Sequence, residues 1–118
     1  MDYAEIMPRV VGVLTRNMEI NEQLRQDPSG VSISVDGLAD QFVQDMVPLR
    51  FEVPAGASPQ EVAEAIAAEM FPAIAKMVSA FSFAFTQLAE YHDAAGPERT
   101  AADVLREIAL RANSFDAD

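Results

Sequence analysis

Few residues in this chain have the type and spacing that catalysis needs. The single histidine, His92, could act as a general base or a pH switch, with Glu90 and Asp93 near it in sequence. One imidazole does not build a metal site that needs two or three. Neighbouring helical residues point apart, so Asp93 is a poor partner for it. His92 reads better as a cap at the negative end of a helix. The 118 residues include no cysteine, hence no thiol nucleophile, thiolate ligand or disulfide. There is no Asp-x-Asp-x-Asp-Gly loop for calcium and no Gly-rich loop after a strand to cradle phosphate. A serine nucleophile would have only His92 or a carboxylate as its base. The expectation is no catalytic residue, no metal and no cofactor.

Charge narrows the partners. Nineteen acidic residues against eight basic ones give a net charge of −11. Such a chain is repelled by nucleic acid and by anionic membranes, so direct binding to either is not expected. The acids are spread along the chain and interleaved with arginines, as on a solvated face that keeps a protein soluble. A sharper reading is an acidic surface that imitates nucleic acid and occupies a basic protein. Mimics of that kind set carboxylates densely along one surface, and here they are diluted.

The aromatic cluster says more. Met77-Val78-Ser79-Ala80-Phe81-Ser82-Phe83-Ala84-Phe85 sets small residues between three phenylalanines. At helical spacing Phe81 and Phe85 join an apolar stripe, which Phe71 and Val78 widen on one side. Phe83 points instead to the side of Lys76, Ser79, Thr86, Gln87 and Glu90. Left in water it forgoes roughly 1.5–3 kcal/mol of burial. Either the helix is surrounded by its own domain, or Phe83 packs on a second copy or a partner. A short chain has few elements to surround a long helix, so Phe83, Phe71, Val78, Phe81 and Phe85 are the candidate interface. A Met–Phe groove that holds an apolar ligand is a lesser alternative.

The elements that position these residues follow from periodicity and turn chemistry. Tyr3, Met7, Val10, Leu14 and Met18 recur at three- and four-residue steps, predicting a helix from about Tyr3 to Gln26, with Pro8 in or near its first turn. Asp27-Pro28-Ser29-Gly30 stops it. Val31-Ser32-Ile33-Ser34-Val35 and Leu49-Arg50-Phe51-Glu52-Val53 alternate strictly and read as strands. Leu38, Phe42, Val43 and Met46 form a short helix between them, entered at Asp36 or Gly37 and ended by Pro48. Ser58-Pro59-Gln60-Glu61 is a capping box with proline at the first helical position. From it Val62, Ile66, Met70, Ile74, Met77, Phe81, Phe85 and Leu88 run as one inner stripe through a helix kinked at Pro72 and closed by Asp93-Ala94-Ala95-Gly96-Pro97. A last helix starts near Thr100, runs to about Asn113 and turns Val104, Leu105 and Ile108 inward. A helix-turn-helix reading of residues 58–70 fails, because the segment is acidic.

These readings predict one domain over 1–118, of α+β class and mainly helical, in the order α-β-α-β-α-α. Its small two-stranded sheet could be completed by a symmetry mate. The function expected is a non-catalytic structural or assembly protein that forms a homo-oligomer through helices, in a bacterial or phage complex. The alternatives are an acidic adaptor or inhibitor of a basic protein, and a small enzyme using carboxylates or His92. The N-terminus lacks the basic start of a secretory signal, and the most apolar run, residues 73–88, is short of the ~20 that span a bilayer. A cytoplasmic protein, or one carried inside a larger particle, is therefore expected, with no transmembrane segment.

Overall fold

The computed structural model describes residues 1–29, 37–47 and 52–114. Over these it is all-α: α1 is Tyr3–Gln26, α2 Leu38–Met46, α3 Pro59–Ala94 and α4 Ala101–Leu110, followed by a 3₁₀ turn at Ala112–Ser114. The expected α+β class is thereby corrected, since no strand occurs among the described residues. Residues 31–35 lie outside them, as do Leu49, Arg50 and Phe51, while Glu52 and Val53 belong to no strand. The strand reading rested on two alternating runs of only five residues each. A pair of isolated strands has little to bury, whereas a helix satisfies its backbone within itself.

By packing, the chain divides into two compact units, Met1–Phe81 and Ser82–Asp118. In the first, α1 opens on a capping box absent from the sequence reading above. The Glu5 N–H donates to Asp2 Oδ1 at 3.0 Å, and the Asp2 N–H donates to Glu5 Oε2 at 3.0 Å. Pro8 stands at the sixth helical position, past the first turn, so the Ala4 carbonyl loses its usual donor. The face α1 buries is Ile6, Val10 and Val13, rotated from the predicted set. Tyr3 and Met18, assigned to the inner face, are exposed. Apolar residues sit on both flanks of this helix (Met7, Val11 and Leu14 among them), so periodicity alone places the stripe only loosely.

α2 enters through Gly37, whose φ of 70° is a left-handed conformation that favours glycine. It buries Phe42 and Met46, one turn apart. The Phe42 ring meets Phe81 edge-on, with centroids 6.0 Å apart, and the Arg9 guanidinium lies 5.6 Å from the Phe42 centroid. Phe42, Ile6, Val10 and Ala80 are all but inaccessible to water. Burying each of the three larger ones stabilises the unit by about 1.5–3 kcal/mol.

α3 starts as predicted. The Glu61 N–H donates to Ser58 Oγ at 3.2 Å, and the Ser58 N–H to Glu61 Oε1 at 3.4 Å. It is one continuous helix of 36 residues that contains Pro72. Its inner stripe is less buried than the periodicity implied: Ile74, Phe85 and Leu88 are exposed, and Val62, Ile66, Met70, Met77 and Phe81 only half-buried.

The second unit is a helical hairpin made of the last turns of α3, a turn and α4. Gly96 takes φ 66° after the end of α3, and its N–H donates to the Asp93 carbonyl. Thr100 caps α4: its hydroxyl accepts from the Asp103 N–H at 3.1 Å, and its own N–H donates to Asp103 Oδ2 at 3.0 Å. α4 ends at Leu110, short of the Asn113 expected.

Candidate interaction surfaces

Two places on the molecule gather side chains that could act on something else. The first is an open groove of about 350 Å³ in the hairpin unit, between the last turns of α3 and α4. Phe85, Leu88, Ala89 and His92 line it from α3, and Ala101, Val104, Leu105 and Ile108 from α4. Three- and four-residue steps put each set on one side of its helix. Val104, Leu105 and Ile108, expected to face inward, are exposed in the single chain.

The turn that holds this groove open is tied from several sides. His92 Nε2 lies 2.7 Å from the Arg99 carbonyl, which can only accept, so Nε2 carries the proton and donates. Asp93 Oδ1 accepts from the Ala101 N–H at 2.8 Å, satisfying a donor that the start of α4 leaves free. Arg99 pairs with Glu107, and Arg106 with Asp103 at 3.3 Å. The Thr100 N–H and hydroxyl, with the Arg106 cation nearby, hold the Asp103 carboxyl below its ordinary value of 3.8. The His92 bond thus ties the loop between the helices.

The second place is a cleft of about 380 Å³ in the first unit, lined by Met1, Asp45, Met46, Glu69, Pro72 and Lys76 among others. It is where titratable side chains collect, and Asp45 and Lys76 are already engaged. Asp45 accepts from Arg9 at 2.7 Å and from Gln41 at 2.9 Å, and these bonds hold its carboxyl below the ordinary 3.8. That is the wrong direction for a general acid at neutral pH. Lys76 Nζ donates to the Met1 carbonyl at 3.2 Å. Among the described residues no three His, Asp or Glu side chains come together as a metal site.

The candidate interface residues fall in different places. Phe81 is half-buried and takes part in the first unit's core through Phe42. Phe85 lines the hairpin groove. Phe71 and Val78 are open to solvent, and so is Phe83. Phe71, Val78 and Phe85 recur at seven-residue steps, two turns of helix, a register that Phe83 does not share. The chain was compared with protein-family models, with curated proteins and with solved structures. It matches none of them.

Sequence reasoning missed the α4 side of the groove, because Val104, Leu105 and Ile108 look like any inner helical face. The signal that could have found it is arithmetic. Two short helices present one apolar side each, and two such sides do not enclose a core.

One expectation about α3 also changes. An eighteen-residue segment of it has a mean hydropathy of 1.3, and 6 % of that segment is buried. Among the described residues α3 is thus one helix long and apolar enough, by length and composition, to cross a membrane.

Proposed function

We propose that this protein is a non-catalytic assembly component that self-associates through its helices, within a bacterial or phage complex. The observation that carries this reading is exposed apolar surface along α3: Phe71 is 68 % accessible, Val78 60 % and Phe83 57 %. Each forgoes about 1.5–3 kcal/mol while it stays in water. A neighbouring copy recovers that free energy. Charge placement supports the same reading, because residues 77–89 carry no charged side chain although the whole chain has a net charge of −11.

The composition of α3 admits a bilayer, yet its charges suit one poorly. Glu69 and Lys76 interrupt the apolar stretch, and its ends carry Glu61, Glu64, Glu90 and Asp93, where membrane helices favour Lys or Arg on the cytoplasmic side. The proposal therefore keeps the protein in the cytoplasm or inside a larger particle.

Light scattering on the full chain tests this. The native protein is expected to have the mass of two or more chains. A single-chain mass at every concentration up to the millimolar range overturns the reading.

A further inference from the structure

We infer that the groove between the last turns of α3 and α4 receives the same hairpin from a second copy of this chain, so that two hairpins close a four-helix core. This rests on the self-association reading and assigns it a face.

The hairpin is built before it has a core. Its turn is fixed by the His92 bond to the Arg99 carbonyl, the Asp93 bond to the Ala101 N–H and the Thr100–Asp103 box. Yet the apolar sides that these bonds set together stay open: Phe85 is 45 % accessible, Leu88 58 %, Val104 37 %, Leu105 47 % and Ile108 40 %. A large side chain offers about 200 Å² when fully exposed, so these five leave on the order of 450 Å² per hairpin. Two such faces, fully covered, bury on the order of 900 Å², below the ~1,200–2,000 Å² of a stable interface and in the range of a weak one.

Charge selects the occupant. The groove lining is apolar except for His92, and that ring's Nε2–H is already used. Asp93, Arg99, Asp103, Arg106 and Glu107 are each bonded within the hairpin. A basic partner would be read by carboxylates aimed into the contact, and this lining contains none. An anionic lipid surface is opposed by the chain's net charge. What suits a neutral apolar face with three- and four-residue spacing on both helices is another face of the same kind, paired about a two-fold axis.

The test is isotope-filtered NMR on an equal mixture of labelled and unlabelled full-length chain, with mass measured on the same sample. Contacts between copies are expected among the methyls of Leu88, Leu105 and Ile108 and the Phe85 ring. Leu88→Gln and Leu105→Gln should each weaken association about tenfold or more, with helicity by circular dichroism unchanged. Inter-copy contacts confined to Phe71, Val78 and Phe83 would overturn the groove assignment and leave self-association standing. A single-chain mass would remove both. Groove signals that shift only with vesicles of phosphatidylglycerol, on a chain that stays single, would assign the face to lipid and overturn the proposal.

Discussion

At the scale of single residues, the best-defined chemistry in this molecule is capping. Thr100 supplies the hydroxyl that takes the Asp103 N–H, and Asp103 returns the bond. Thr100→Ala is expected to cost about 1 kcal/mol, read from urea unfolding. Asp103 and Asp45 are both held below 3.8 by their bonds, so the native state favours their ionised forms. Their contribution to stability is in full force above that value and is lost as pH falls through the lowered values. Asp103→Asn should therefore destabilise the protein at pH 7, and the gap to the native chain should narrow below pH 3.8. Urea midpoints for both proteins at pH 7 and pH 3 check the sign. A gap that widens in acid would mean that the carboxylate is not what these bonds favour.

At the scale of elements, α1 and α2 stand on few side chains, and their loss should be felt. Phe42→Ala removes a buried ring that touches both Phe81 and Arg9. It should cost about 3–5 kcal/mol. Ala80, 1 % accessible, marks a close approach, and Ala80→Leu should cost about 1–3 kcal/mol through overpacking. Thermal unfolding of both variants measures these. The start and end of α3 were legible in the sequence because they depend on local chemistry: Ser58-Pro59-Gln60-Glu61 opens it and Gly96-Pro97 follows its end, whereas the Asp2–Glu5 box that opens α1 was missed. Which side of each helix is covered was not legible. Ile6 rather than Tyr3 is buried on α1, and Ile74, Phe85 and Leu88 are open on α3. Burial depends on what packs opposite, and periodicity carries no record of that. No strand occurs among the described residues, and five alternating residues say nothing about whether a partner strand exists.

At the scale of the whole molecule, charge and apolar surface pull in opposite directions. Two copies with a net charge of −11 repel each other, and salt weakens that repulsion while leaving apolar contact intact. Self-association should therefore strengthen as sodium chloride rises from 20 to about 300 mM, a change the Debye length makes large. Light scattering across that range gives the answer. An acidic adaptor bound to a basic protein would respond the other way and let go in salt.

The bonds of the hairpin turn join residues seven and eight apart, whereas Arg9 meets Asp45 across 36 positions and Lys76 reaches Met1 across 75. Loop closure costs more entropy as the loop lengthens, and loops of about ten residues close in 10–100 ns. On refolding, the amides of residues 85–108 should therefore gain protection from hydrogen exchange ahead of those in α1 and α2. The hairpin becomes the earliest foothold of the fold, and its apolar side faces water while the rest of the chain is still searching. For a protein that assembles, that interval sets how dilute the chains must be if each is to finish folding before it meets another.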